Sequence, residues 1–420
     1  MKLFLKNIGK IAEACIEING ITVIAGENNT GKSTVGKALF AVFNSFHNIY
    51  EQISYERVEN IANQMDMLYR SLTNRLNRQL NVTEAAERIL SCRDEFKGSQ
   101  KAVRDAVVKI ISQQDEDFKK YETDGRMDGY ISQIALALEV SDNEIIKSVL
   151  GRRMDAEFNG QINNVFTEET GEIELSIQDR TMKVSVKDNN IRAFSGEMDL
   201  HTETVYLDDP FIMDDINRIH YLEGTVYWDH RWGLRKKLNE SHAGNLVEKI
   251  VAGNKLEKIY QRISVACNGD IVRDKSGRMG YRQNGMDKIL DVRNLSSGFK
   301  TFAILKTLLQ NGVIEYNGTI ILDEPEIHLH PEWQLLFAEI IVLIQKEFGA
   351  HILLNTHSPY FLDAIEVYAA KYGIEKKCKY YLANSQGEMA EIRDVTGNIE
   401  QIYSKLARPL QELENERGRL

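Results

Sequence analysis

The sequence predicts an α/β fold: a mixed sheet with a parallel core, antiparallel strands at the N-terminus and a helical lobe set into the chain. Three observations predict it. Ile21-Thr22-Val23-Ile24-Ala25 is a continuous apolar run, as expected of a strand buried on both faces, and it feeds a glycine-rich loop and an apolar-periodic helix from Ser33 to about Phe46. Thr319-Ile320-Ile321-Leu322 is a second such run and ends in two acids, Asp323 and Glu324. From Gly298 the chain alternates helix, strand, helix, strand, helix, the rhythm of parallel strands joined by crossover helices.

The remaining elements follow in order. Lys2 to Lys6 and Ile11 to Ile18 are β-rich and flank the turn signal Asn7-Ile8-Gly9. From about Ile49 to Asn159 apolar residues recur at three- and four-residue spacing, with breaks near Asn81, Gly98, Gly125 to Gly129 and Gly151. Ser141-Asp142-Asn143-Glu144 is a capping-box string that opens one of these helices. Glu172 to Phe194 alternates through Ile173, Leu175, Ile177, Met182, Val184 and Val186, which predicts a hairpin turning near Asp179-Arg180. Glu203 to Leu207 reads as a strand, and Gly253 to Gln283 mixes helix and short strands around Asp274-Lys275-Ser276-Gly277. No internal repeat of 20 to 50 residues is visible.

Composition narrows the class. The 420 residues are 43% hydrophobic and 27% charged, which fits a chain with a sizeable core and argues against extensive disorder. No apolar run approaches the roughly 20 residues of a membrane span, and Met1 to Asn7 shows no signal-peptide core, so a soluble cytoplasmic protein is expected. Lys plus Arg number 52 and Asp plus Glu 62, for a net charge of −10. Any DNA contact would therefore have to come from a local patch. Cys15, Cys92, Cys267 and Cys378 form no CxxC pair and read as free thiols in a reducing compartment. Three of the five prolines, Pro325, Pro331 and Pro359, crowd into one 35-residue stretch, which points to shaped loops there.

Four strings carry chemistry. Gly26-Glu27-Asn28-Asn29-Thr30-Gly31-Lys32-Ser33 matches GxxxxGK[ST], with Thr34 next in the helix. Backbone amides of such a loop cradle phosphates, Lys32 balances their charge and the Ser33 hydroxyl holds Mg²⁺. Asp323, at a strand's C-terminal edge, would take the Mg²⁺ shell, and Glu324 would act as general base on the attacking water. Asn294-Leu295-Ser296-Ser297-Gly298 opens a helix and makes a second anion-binding turn, 27 residues before Asp323 if counted from Ser296. Leu353-Leu354-Asn355-Thr356-His357-Ser358-Pro359 ends a strand on a histidine placed to reach a γ-phosphate, 34 residues after Asp323. Lys32 and Asp323 thus belong to one site although 291 residues separate them.

The order of these strings resembles ABC-type ATPases, in the branch of the chromosome-maintenance and break-repair enzymes. Leu322-Asp323-Glu324-Pro325-Glu326-Ile327-His328-Leu329-His330-Pro331, taken with Asn355 to Pro359, resembles the OLD-like (overcoming lysogenization defect) ATPases and their stand-alone bacterial relatives. The likeness covers roughly residues 1–46 and 200–370. It implies an ATPase head, split over 1–46 and 160–420; the helical lobe at 47–159, read from the apolar spacing and inserted in that head, matches no part of the resemblance. It also implies a homodimer of heads, or a higher homo-oligomer, in which Ser296, Ser297 and Gly298 contact the nucleotide on the opposite subunit and His357 senses the γ-phosphate. About 60 residues follow His357, with no paired-acid pattern, so no Toprim nuclease is expected there. Stand-alone ATPases with these strings resemble those of Septu-type anti-phage systems, which implies a nucleotide-gated switch acting on a separately encoded effector, a nuclease or toxin. The alternative is a RecF-like or SMC-like maintenance ATPase acting on DNA itself. The family's glutamine loop is not identifiable, with Gln52 and Gln161 as candidates. His328-x-His330 lacks a third metal ligand and reads as loop. The stretch Tyr227 to Lys237 reads as one amphipathic helix with a solvated basic face, and Val205 to Phe211 as a strand that lines the cleft or packs in the core.

Overall fold

A computed structural model describes residues 1–73, 80–96, 98–221, 229–240 and 256–417. The chain divides into two compact units, Met1–His47 with Leu150–Leu420, and Asn48–Val149.

In chain order, the first unit opens with β1 (Lys2–Ile8), β2 (Ile11–Glu17), β3 (Ile21–Gly26) and α1 (Lys32–Ser45). The second unit carries α2 (Ile49–Thr73), α3 (Val82–Ser91), α4 (Arg93–Phe96), α5 (Gln100–Gln114) and α6 (Met127–Glu139). The helix α7 (Asp142–Phe158) begins in the second unit and ends in the first. There follow β4 (Gly171–Ile177), β5 (Arg180–Lys187), β6 (Asn190–Ser195), β7 (Thr204–Leu207) and α8 (His230–Asn239). A helix α9 occupies 256–263. The chain continues with β8 (Gly269–Arg273), β9 (Met279–Gln283), β10 (Ile289–Asp291), α10 (Ser297–Gln310), β11 (Thr319–Asp323), α11 (Pro331–Phe348), β12 (His351–Thr356), α12 (Pro359–Tyr372), β13 (Cys378–Gln386), β14 (Met389–Asp394) and α13 (Glu400–Arg417).

One sheet of eleven strands, ordered β6-β5-β4-β1-β2-β14-β13-β3-β12-β11-β7, organises the first unit. Its run β13-β3-β12-β11-β7 is parallel throughout. The N-terminal strands and the β4-β5-β6 meander are antiparallel. Every residue of β3 and β11 is buried, which explains their unbroken apolar strings. Alternate residues serve the two faces. Ile21, Val23, Ala25, Ile320, Leu322, Ile352 and Leu354 join α10, α11 and α12 in the main core. On the opposite face Phe40 of α1 meets Tyr206 of β7 with ring centroids 6.1 Å apart. Parallel strands share one direction, so the C-terminal ends of β3, β11 and β12 lie at one edge. That edge is where open α/β sheets place their ligands.

The predicted hairpin over 172–194 is instead three strands. Asp188 and Asn189, at φ 53° and 60°, make a second tight turn after Lys187, and β6 pairs back onto β5. The stretch 269–291 forms a separate three-stranded sheet, β10-β9-β8.

The helical unit has its own core, including Ile61, Met65, Leu68, Ile89, Val107, Ile111, Ile131 and Ile134. Arg57, only 3% exposed, donates to the carbonyls of Ala137 and Val140 at 2.7 and 2.6 Å and to Asp142 at 2.6 Å. It thereby satisfies carbonyls that the end of α6 leaves open. Ser141 and Glu144 exchange the reciprocal capping bonds that their spacing predicts, at 3.2 and 3.3 Å.

Candidate functional site

The Gly26–Lys32 loop leaves β3 and turns into α1 through Gly31, at φ 79°. Two glycines there are required by close approach. A Cβ at Gly26 would lie 2.5 Å from the carbonyl of Ala383, and one at Gly31 would lie 2.8 Å from Ile11. Thr30 folds inward and donates its hydroxyl to the carbonyl of Glu27 at 2.8 Å. Asn28 and Asn29 are exposed on the loop, Asn29 at φ 62°. Ser33 is exposed at the start of α1, with half-buried Thr34 beside it.

Lys32 is 4% exposed and ties three segments together. Its Nζ donates to the carbonyls of Gly26 (3.1 Å) and Glu27 (2.8 Å), and lies 3.2 Å from Glu324 Oε1. His357 Nδ1 lies 3.5 Å from that same oxygen. The fold therefore gathers Lys32, Glu324 and His357 from β3–α1, the end of β11 and the end of β12. Glu324 sits at φ 49° and its amide donates to the Asn355 carbonyl at 3.0 Å, so its side chain is aimed by a fixed backbone bend. His357 beside it, with Lys32, holds the Glu324 carboxyl below its ordinary range despite partial burial. The same contact raises the His357 imidazole.

Asp323 lies one residue earlier, 8% exposed. Asn355 donates to its Oδ1 at 2.9 Å and the Tyr206 hydroxyl to its Oδ2 at 2.9 Å. Asn355 faces Asp323 directly in the β11–β12 register, and β7 flanks β11 on the other side. Ser33 and Asp323 offer a hydroxyl and a carboxylate, hard oxygen donors that suit Mg²⁺, which takes few protein ligands beside water and phosphate. Among the described residues no group of three His, Cys, Asp or Glu could hold a metal ion alone. His328 instead meets Phe211 edge-on at 5.5 Å, and His330 precedes Pro331 at the start of α11.

Glu326 is a third carboxylate that the motifs did not assign. It is 2% exposed and accepts from the Thr356 hydroxyl and from the His357 amide at 3.2 Å. Burial raises its carboxyl. It pins the loop after β12 to the loop after β11.

Ser296 caps α10, its hydroxyl accepting from the Phe299 amide at 3.4 Å, and the Ser297 carbonyl accepts from the Thr301 hydroxyl at 3.3 Å. A Cβ at buried Gly298 would lie 2.7 Å from the His328 carbonyl. This turn packs on the loop after Glu324. Gln52 lies in α2 of the helical unit, and Gln161 is exposed after α7. The basic stretch is only partly solvated: Arg231 donates to Asp208 at 2.7 Å and Lys237 pairs with Glu203, while Tyr227 and Trp228 lie outside the described residues. Among the described residues no helix is long and apolar enough to cross a membrane.

A parallel core that brings a GxxxxGKS loop, a strand-end Asp-Glu pair and a strand-end histidine to one edge is an α/β P-loop ATPase head. The chain belongs to the family described as "AAA domain, putative AbiEii toxin, Type IV TA system", whose model matches residues 48–363. The Gly26–Ser33 loop precedes that span. Septu protein PtuA of Bacillus thuringiensis is 28% identical over 189 residues, which are 40% of this chain and 43% of that protein. The "Retron Vc95 probable ATPase" of Vibrio cholerae serotype O1 biovar El Tor is 25% identical over 184 residues, 37% of this chain and 35% of that protein. The chain thus matches less than half the length of these curated relatives. Among solved structures, the SMC head domain from Thermotoga maritima aligns over 94% of this chain and 98% of its own at 11% identity, with a TM-score of 0.39. An Smc head domain with an extended coiled coil, bound to the C-terminal domain of ScpA, from Pyrococcus furiosus, aligns over 99% and 98% at 12% identity and a TM-score of 0.42.

Proposed function

We propose that the chain binds ATP with Mg²⁺ on the loop Gly26 to Thr34 and hydrolyses it when two heads close on the nucleotide. The observation that carries this reading is the meeting of Lys32, at the start of α1, with Glu324 and His357, just past the ends of β11 and β12, at 3.2 and 3.5 Å. Amides of the loop and Lys32 bind the phosphates. Ser33 and Asp323 hold the metal, which supplies charge neutralisation on the phosphate oxygens. Glu324, kept ionised by His357 and Lys32, accepts the proton of the attacking water, and His357 donates toward the γ-phosphate. Ser296, Ser297 and Gly298 act on the nucleotide of the opposite head, as the resemblance to ABC-type ATPases implies, so that only the pair of heads is competent.

Such a pair is a switch: ATP closes it and hydrolysis opens it. We assign the switch to a separately encoded effector in phage defence. This rests on the resemblance to Septu-type ATPases and on the matches to a Septu and a retron protein.

Two variants test the reading. Glu324→Gln should retain ATP binding, lower turnover by about 10²–10⁴, and accumulate an ATP-dependent dimer in size-exclusion chromatography with light scattering. Lys32→Ala should lose nucleotide binding. An unshifted elution volume for Glu324→Gln with ATP refutes the paired-head mechanism, and undiminished turnover of Lys32→Ala refutes the site.

A further inference from the structure

We propose that Tyr206, held in place by His230, is a positioning residue for the metal carboxylate Asp323. The proposal rests on the nucleotide reading above and goes beyond its residues.

Tyr206 is 1% exposed on β7, the strand beside β11. Hydrophobic packing at that position would be satisfied by phenylalanine, yet the hydroxyl is there and donates to Asp323 Oδ2 at 2.9 Å. Asn355 donates to the other oxygen at 2.9 Å. The torsion of an aspartate carboxyl is broad when unrestrained. Two neutral donors from the flanking strands fix its plane and leave its negative charge uncancelled, which is what a carboxylate awaiting a cation needs.

The tyrosine is itself immobilised. Its ring stacks on His230 with centroids 4.2 Å apart and an interplanar angle of 21°, and Phe40 of α1 closes the cluster at 6.1 Å from Tyr206 and 6.0 Å from His230. The helix that follows the phosphate loop has a glycine where it passes the hydroxyl: a Cβ at Gly36 would lie 3.0 Å from the Tyr206 oxygen and 3.0 Å from Ile321. His230 is fixed in turn by Glu157, through Nδ1 at 2.7 Å and through its own amide at 2.6 Å, and by Asp208 Oδ2 at 3.1 Å from Nε2. Three buried or largely buried polar side chains, His230, Glu157 and Asp208, thus back the ring whose hydroxyl is aimed at Asp323. Nothing else in the proposed chemistry accounts for them.

The test is Tyr206→Phe, which keeps the ring and its stack and removes the hydroxyl. Equilibrium binding of a fluorescent ATP analogue is followed while Mg²⁺ is titrated, and again in EDTA. The Mg²⁺ concentration for half-maximal effect should rise about tenfold, as for loss of a partner that orients a metal ligand, with binding in EDTA unchanged. Asp323→Asn should also raise it, and Tyr206→Phe should add nothing on that background. A general packing defect would instead weaken binding in EDTA and add to Asp323→Asn. Thermal unfolding checks that each variant is folded. If Tyr206→Phe does not fold, His230→Gln, which unseats the ring, should raise the Mg²⁺ requirement in the same direction. An unshifted Mg²⁺ requirement in the folded variant, while Asp323→Asn shifts it, overturns the proposal. Wild-type binding that is indifferent to Mg²⁺ and to Lys32→Ala overturns the nucleotide reading itself, and this proposal with it.

Discussion

Replacing His230 with glutamine should change how stability depends on pH. The side chain is 7% exposed and lies between two carboxylates, Glu157 and Asp208. Burial alone would lower the imidazole, but the flanking carboxylates of Asp208 and Glu157 outweigh it and raise the pKa from 6.5 to about 9. Asp208 is correspondingly held down to about 2, against its own burial, by His230 and Arg231. A group raised on folding contributes stability that is fully present below its unfolded pKa and is lost as pH rises through its folded pKa. The window here runs from 6.5 to about 9. At about 1.4 kcal/mol per unit, the contribution is on the order of 3 kcal/mol. Urea unfolding followed by tryptophan emission reads the correct unit, because Trp228, Trp232 and Trp333 all fall in Leu150–Leu420. The wild-type advantage over His230→Gln should shrink by about 3 kcal/mol between pH 6.5 and 10, other titrations cancelling in the difference. A difference constant to within about 0.5 kcal/mol, the usual limit of additivity, would refute a charged His230.

Other perturbations have equally direct readouts. Gly298→Ala forces a methyl to within 2.7 Å of the His328 carbonyl, so it should displace the loop after Glu324 and cut turnover while leaving nucleotide affinity intact, measured by steady-state kinetics beside equilibrium binding. Glu326→Leu removes the acceptor for the Thr356 hydroxyl and the His357 amide, and should cost about 1–3 kcal/mol in denaturant unfolding and slow hydrolysis. Gly26→Ala puts a Cβ 2.5 Å from the Ala383 carbonyl, a backbone atom that cannot swing aside, and should weaken ATP binding in a fluorescence titration.

The Gly26–Ser33 loop, the strand-end acids and the strand-end histidine are readable in the sequence because each is a contiguous string whose chemistry is local. The contact between Lys32 and Glu324 spans most of the chain, yet both ends carry their own marks. Tyr206 has none. The string Val205 to Phe211 reads as a strand, but alternation alone does not say which of two faces meets α1 and which meets the core. Glu157 lies inside a helical run, and His230 inside an aromatic–basic stretch whose cations suggest solvent. Their pairing depends on where β7 and α8 come to rest, which is tertiary. The missed strand β6 is different: Asp188-Asn189 is a tight-turn signal, and counting turn residues as well as apolar alternation would have found it. Glu326 also stood in plain view in the Asp323–Pro331 string, but its role as an anchor for the His357 loop needs β12 beside β11.

The position of β3 in the sheet bears on how the protein is made. The strand that delivers the Gly26–Ser33 loop lies between β12 and β13, so both of its neighbours are encoded more than 300 residues downstream. At the usual elongation rate, β3 waits on the order of tens of seconds for partners to leave the ribosome. Throughout that interval the strand, fully buried in the finished protein, has no sheet to join. The contiguous helical unit, Asn48–Val149, has all its core residues within one short segment and can condense meanwhile. The nascent chain therefore exposes an unpaired apolar strand for much of its synthesis, the kind of surface that chaperones cover. Lowering chaperone supply should reduce the yield of folded protein far more than it reduces that of the isolated 48–149 segment.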